Sequence, residues 1–245
     1  MAVGQSVNRA FKVPDLRNRI TYTLLMFLVF RIGAHVPVPG IDKVRIAELI
    51  GQGTIFGLLD LFAGGALSLF TVFAMSITPY INASIIMQLL TVVVPKLEEW
   101  SKEGPEGRRK IGQWTRYGTV LLALLQATGL AIFLRAQGAM INPSIGSMLV
   151  VIMALTAGTT FLMWIGERIT ENGIGNGISL IIFAGIVSRL PYGAQNLLTY
   201  LQTGRITIFN LLVTLVLALL IIAAVVWVVE GQRRKIGRAS YRERV

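Results

Sequence analysis

Residues 56–95 read FGLLDLFAGGALSLFTVFAMSITPYINASIIMQLLTVVVP, and the breaks in this stretch decide what fold the chain can adopt. A short apolar run, Ile55–Phe62, stops at Gly64-Gly65, and a longer run, Thr71–Val94, follows with Pro79 inside it. A helix needs about 20 residues to cross a bilayer, so the first run is too short and the second is long enough. A half-length apolar piece hinged on glycines to a full span predicts a re-entrant segment. Non-helical backbone at membrane depth survives only inside protein or beside water. The stretch therefore predicts a cavity or pore.

The rest of the composition agrees with a membrane setting. Of 245 residues, 54% are hydrophobic and only 14% charged, with a mean hydropathy of +0.67. That balance belongs to multi-span membrane proteins rather than to soluble domains. There is no cysteine, which excludes disulfides, thiolate metal sites and a Cys nucleophile. His35 is the sole histidine, so no His cluster can hold a metal.

Going outward from the opening stretch, six spans are predicted. Val7–Arg19 reads as an amphipathic segment at the membrane surface. Span 1 covers about Ile20–Val36 and stops at Pro37, Pro39 and Gly40. Span 2 is Thr71–Val94, closed by Pro95 before a charged loop, Lys96–Arg116. Spans 3 and 4 cover about Trp114–Leu134 and Ser147–Ile165; span 5, about Ile178–Leu190, is stopped by Pro191-Tyr192-Gly193. Span 6, about Ile206–Val229, is the least interrupted.

Basic residues are unevenly shared between the two sides. Arg9, Lys12, Arg17, Arg19, the cluster from Lys96 to Arg116, Arg168 and the C-terminal cluster from Arg233 fall on one side. Only Arg31, Lys43, Arg45, Arg135, Arg189 and Arg205 fall on the other. Cytoplasmic loops carry the excess of Lys and Arg, which puts both termini in the cytoplasm. The net charge of +11 secondarily suggests an acidic partner such as RNA or anionic lipid.

Enzyme chemistry finds no purchase. There is no Ser/His/Asp set, carboxylate pair or zinc spacing, and Gly173-x-Gly175-x-Gly177 is not the dinucleotide pattern. The sequon Asn82-Ala83-Ser84 lies inside a predicted span and is set aside. Ile77 and Ile81 are four apart and share a helix face, as do Ile182 and Ile186. By spacing alone the plainer reading is core or lipid-facing isoleucine. Ser76, Thr78, Asn82, Ser84 and Gln88 make span 2 too polar for lipid alone, so it lines a cavity or meets a polar helix. Gln126 is a mid-span amide in span 3, and a hydrogen bond from Gln88 to Gln126 is a plausible link. The basic run Arg108, Arg109 and Lys110 exceeds what orientation requires and suggests a docking surface for a cytosolic partner.

GGALSLFTVFAMSITPYINASIIMQLL, EGRRKIGQWTRYGT, FLMWIGERITENGIGNGISLIIFAGIVSRLP and VVEGQRR together closely resemble the SecY family, the channel subunit of the bacterial protein translocase. The resemblance runs from about Phe11 to Arg234. It implies an all-α membrane protein in which two inverted five-helix halves surround an hourglass pore. It also implies a chain that translocates unfolded preproteins across the bacterial plasma membrane and inserts membrane proteins into it. On that pattern residues 55–67 form a plug, including Phe56, Leu58, Leu59, Asp60, Leu61, Phe62, Gly64 and Gly65. Ile77, Ile81, Ile182 and Ile186 match the pore ring, and Gln88 and Gln126 match the lateral gate. Arg108, Arg109 and Lys110 would dock SecA or the ribosome. SecE and SecG would be membrane partners, and signal sequences and unfolded preproteins the cargo. No cofactor is implied.

The family has ten spans, and this chain matches six. The expected layout is a cytosolic N-terminus 1–19, a five-span half 20–193, span 6 within 194–230, and a truncated tail 231–245. The run IGRASYRERV, 236–245, resembles a translated sequencing-adapter read-through and is expected to be non-native. The fragment is expected to be inactive by itself. A secondary transporter, which also uses broken helices, is the alternative. Its usual charged midplane groups are lacking from the predicted spans: Asp60 sits in the half-helix, and Arg31 and Glu167 lie at span ends.

Overall fold

The computed structural model of the protein describes residues 13–51, 60, 63–204 and 206–231. It is helical, and among the described residues there is no β-strand, only the isolated antiparallel bridges Pro37–Thr71 and Ile41–Met140. In chain order the helices are α1 (Pro14–Gly33), α2 (Lys43–Gly51), α3 (Thr78–Val93), α4 (Pro95–Lys102), α5 (Pro105–Ala136), α6 (Ile145–Asn172), α7 (Gly177–Gln202) and α8 (Ile208–Glu230). The chain divides into two compact units, Met1–Leu190 and Pro191–Val245.

Helix starts follow local chemistry. Pro14, Pro79, Pro95 and Pro105 occupy first-turn positions of α1, α3, α4 and α5, where the missing N–H costs nothing. Ser144 caps α6 by accepting from Ser147 N at 3.2 Å. Asn176 caps α7, its Oδ1 accepting from Ile178 N at 3.0 Å and Ser179 N at 3.2 Å. Hydroxyls within apolar helices turn back on their own backbone: Thr119 Oγ1 donates to Thr115 O at 2.7 Å and Thr160 Oγ1 to Thr156 O at 2.8 Å.

Several expected boundaries move. Span 2 is not helical from Thr71; α3 starts at Thr78, with Ile77 as its N-cap residue. Pro79 is thus a start signal, since a proline in the first turn needs no partner for its nitrogen. The expected loop Lys96–Arg116 is mostly helix, divided between α4 and the first turns of α5. Its charges sit on helices because Lys and Glu are good helix formers. The α3 and α4 axes meet at 100° beside Pro95. Span 5 does not end at Pro191; α7 carries that proline inside and runs on to Gln202. One lost ladder bond is outweighed there by the helix formers of Ala194–Gln202.

The count of six spans is not confirmed. Four helices, α5 to α8, are long and apolar enough to cross a membrane, or up to five if the bent α3–α4 pair is one span. The α1 helix falls short because Arg19 and Arg31 leave an uncharged stretch of only Ile20–Phe30. It also absorbs 14–19, the described half of the expected surface segment.

Within the first unit α6 is the central helix: Val151, Leu155, Leu162, Ile165 and Ile169 are fully buried. The α5 helix packs on both α3 and α6 and buries Thr115, Thr119, Ala123, Ala127 and Ala131, one residue per turn. Small side chains at that spacing let helix backbones approach closely where burial from water supplies no drive. In the second unit α8 buries none of its residues.

Residues 63–77, ahead of α3, are seated in this core rather than on it. Phe73 stacks between Phe30 of α1, at 6.0 Å, and Phe161 of α6, at 6.2 Å between ring centroids. Gly158 of α6 lies so close to the Val72 carbonyl that a Cβ there would collide with it. Gly158→Ala is expected to destabilise the purified chain by about 1–3 kcal/mol through overpacking, read as a lower Tm in detergent. Gly112→Ala, where a Cβ meets nothing within 4 Å, should leave Tm unchanged or raise it. Equal Tm values for the two variants would count against this packing.

Candidate functional site

Residues 63–77 are a run of turns, and they are among the most buried in the protein. Ala66, Phe70, Thr71, Phe73 and Ile77 are each no more than 2% exposed. Buried backbone must find partners, and here most are local or come from one loop. Thr71 N donates to Ala66 O at 2.8 Å and Ser76 N to Phe73 O at 2.8 Å. The 36–42 loop supplies two more: Val38 N donates to Phe70 O and Val72 N donates to Val36 O, both at 3.0 Å. The same loop is held on its other side, Asp42 N donating to Ala139 O at 2.9 Å and Ile141 N to Gly40 O at 3.1 Å. Phe70 and Ser76 have φ of 43° and 54°, a left-handed conformation that costs side-chain-bearing residues of order 1–3 kcal/mol each. Phe70, 1% exposed, is held there by the core around it.

The N-terminal end of this segment meets α7. Gly64 and Gly65 have φ of 63° and 91°, and both are pressed against that helix. A Cβ on Gly64 would lie 2.9 Å from Gly185 Cα, and one on Gly65 would lie 2.8 Å from an Arg189 guanidinium nitrogen. Beside them Asp60 is 2% exposed. One of its carboxylate oxygens accepts from Ser68 N at 2.8 Å, and the other is ion-paired with Arg189 Nη2. Arg189 Nη2 also donates to Ser68 Oγ at 3.0 Å, and Ser68 Oγ donates to Gly65 O at 2.9 Å. Removing one partner of a buried pair leaves a bare charge, at a cost of about 3–5 kcal/mol. Sequence reading found Asp60 but not its partner, because 129 residues separate the two. The available signal was a lone acid in an apolar run and a lone base at the end of another.

Of the expected ring residues, Ile77 belongs to the main hydrophobic core, and Ile81 and Ile182 are half-buried against it. Ile186, one turn further along α7, is 42% exposed. Ile81 N donates to Ile77 O at 3.2 Å, so the expected four-residue relation is kept although Ile77 precedes the helix. Of the expected plug residues, Asp60, Gly64 and Gly65 are placed as above; Phe56, Leu58, Leu59, Leu61 and Phe62 lie outside the described residues.

The two gate amides are not joined. Gln88 is exposed and donates to Ser84 Oγ at 3.4 Å within α3. Among the described residues no hydrogen bond links it to Gln126. A hydroxyl one turn away needs no interhelical approach, so the local partner wins. Gln126 instead lines a cavity of about 160 Å³ with Ser76, Thr78, Met75 and Leu130.

Arg108, Arg109 and Lys110 are all exposed near the start of α5. Lys110 pairs with Glu103 at 3.0 Å and lies 5.7 Å from the Trp100 ring centroid. Arg108 and Arg109 line an open cleft of about 650 Å³ with Pro105, Gln113, Arg116 and Glu171. Arg116 is held by Glu167 of α6 at 2.7 Å. On α4, a hydrogen bond from Lys102 at 2.6 Å, reinforced by its charge, holds the Glu98 carboxyl below its usual range. The same contact raises the Lys102 ammonium.

Apolar helices packed around a buried, non-helical strap define a polytopic α-helical membrane protein. The chain belongs to the SecY family, whose sequence model matches residues 71–244. That match includes most of the tail 236–245. The chain is 48% identical over 234 residues to a protein translocase subunit SecY of Halalkalibacterium halodurans, covering 94% of this chain and 54% of the relative. It is 50% identical to the SecY subunit of Pseudomonas aeruginosa, covering 91% and 51%, and 48% identical to that of Escherichia coli K12, covering 90% and 51%. The chain thus spans about half the length of the curated relatives it matches. In fold it is similar to Sec61 of the canine ribosome–channel complex from the endoplasmic reticulum, with a TM-score of 0.61 at 21% identity, over 90% of this chain and 49% of that one. A structure described as a protein conducting channel gives a TM-score of 0.59 at 21% identity, over 85% and 47%. At such identity the likeness is one of fold alone.

The α4 pair yields a direct measurement. Glu98 sits below its usual 4.5, so its contribution is present above that value and is lost as pH falls through the lowered one. Lys102 sits above 10.5, so its part is lost only as pH rises through the raised value. Lys102→Ala should return the Glu98 carboxyl midpoint toward 4.5, followed by NMR of the side-chain carboxyl. An unchanged midpoint would show that another group holds it.

Proposed function

We propose that this chain supplies part of a protein-conducting channel that moves unfolded preproteins across the bacterial plasma membrane and releases membrane segments into lipid. The observation that carries the reading is family membership joined to one structural feature. A buried non-helical segment runs from Ala63 to Ile77 and leads directly into Ile77 and Ile81, while Ile182 packs on the same core from α7. In this reading residues 55–67 are the plug and Ile77, Ile81, Ile182 and Ile186 are part of the pore ring. Branched apolar side chains at a constriction keep it dry, so ions do not leak when no chain is passing. Gln88 and Gln126 belong to the lateral gate; both side chains are exposed, where they can meet other polar or apolar segments at a helix seam.

The exposed Arg108, Arg109 and Lys110 form the cytosolic docking face for SecA or the ribosome, with both termini on the same side. SecE and SecG are the membrane partners, and anionic lipid meets the basic rim. Orientation follows from the excess of basic residues on that side. Among the described residues no cluster of three or more His, Cys, Asp or Glu side chains could coordinate an ion, which weakens the case for a solute transporter. The remaining gate wall and ring positions belong to the length of the relatives that this chain does not match.

Replacing Ile77, Ile81, Ile182 and Ile186 together by serine in the assembled full-length channel should produce an ion leak in planar bilayers and relaxed signal-sequence selectivity. Conductance equal to the parent's would remove the ring assignment.

A further inference from the structure

Asp60 and Arg189 are opposite charges placed where apolar residues would pack at lower cost. Burying such a pair rarely adds net stability, and it is best kept where it selects one arrangement over another. The surroundings suggest which arrangement. The pair bridges the Gly64-Gly65 turn, whose positive φ values allow it to hinge. On the far side of the hinge the chain is anchored by the Phe73 stack and the 36–42 loop. On the near side, among the described residues, the polar anchors are the Asp60–Arg189 pair and Ser68. Ser68 completes the set, giving its N–H to Asp60 and its hydroxyl to Gly65 O while accepting from Arg189. Both carboxylate oxygens of Asp60 and the Ser68 hydroxyl thereby have partners. The Asp60 side chain is 3% exposed and that of Arg189 25%, so the arginine is the more accessible partner of the pair.

We propose that Asp60, Ser68 and Arg189 form a latch that holds the Gly64-Gly65 turn against α7, making Arg189 a positioning residue for this segment. The geometry stands independently; its consequence for conduction rests on the channel reading above. A latch of this kind differs from apolar packing in one respect. It opens when either charge is lost, and losing the second charge adds nothing further.

The absence of cysteine from the chain allows a clean test. Ala66→Cys, at a position 0% exposed, is introduced as the sole thiol and its reaction rate with a maleimide is measured in membrane vesicles. Ala63→Cys serves as a second probe and Ala127→Cys, buried on α5, as the control. Asp60→Asn and Arg189→Met should each speed labelling at Ala66→Cys by about tenfold, and the double variant should be no faster than either, because the residues act as one unit. Rates within about twofold of the parent, or independent effects that multiply to about a hundredfold in the double variant, would overturn the latch. So would equal acceleration at Ala127→Cys, which would mean that the pair supports the whole fold. Ion conductance of the assembled channel separates the two ideas. Faster labelling with no leak keeps the latch and counts against an occluding role for the segment.

Discussion

A backbone amide in an apolar environment must be satisfied by protein, and the segment from Ala63 to Ile77 depends on that constraint. It is not a helix, so it cannot satisfy itself by an internal ladder. Its carbonyls and amides are met by tight turns and by the 36–42 loop, which is in turn fixed to residues 139–141. The helices supply walls more than contacts of their own: Phe30, Phe161, Gly158 and Gly185 are the places where α1, α6 and α7 receive the strap. Small residues on the helices and aromatic residues on the strap fit one another, which explains how irregular backbone can lie at the centre of a helical protein.

Two kinds of contact hold the strap, and they differ in how they would fail. Around Phe70 to Phe73 it is held by shape: stacked rings, a bulky residue at positive φ, and a glycine that admits a carbonyl. Close packing is bistable rather than gradual, so this part behaves as a fixed anchor. Around Gly64 it is held by charge and hydrogen bonds across a glycine joint. A segment with one end anchored by packing and the other by polar contacts has a natural direction in which to move.

Much of this was legible in the residues. The break at Gly64-Gly65 and the end of the following helix at Pro95 could be read from glycine and proline alone. The apolar lengths of α5, α6 and α8 were equally plain. Errors came where one residue type serves two purposes. Pro79 was read as lying inside a helix and proves to start one, and Pro191 was read as a stop and is carried through. The charged run after Pro95 was read as loop because charge was equated with solvent; its Lys and Glu residues are also helix formers. Local signals cannot rank these uses, because the choice depends on what packs beside them.

By itself the sequence determined the class of the protein, since apolar length and the distribution of charge are sums along the chain and need no partner. It also placed Asp60 in the half-helix, an acid within an apolar run. Only the tertiary structure decided what Asp60 is for. Arg189 lies 129 residues away, and no periodicity or motif connects the two. Their meeting depends on Gly64 and Gly185 letting two backbones approach to near contact. A buried charge is intelligible only with its counter-charge, and which counter-charge it meets is settled by packing.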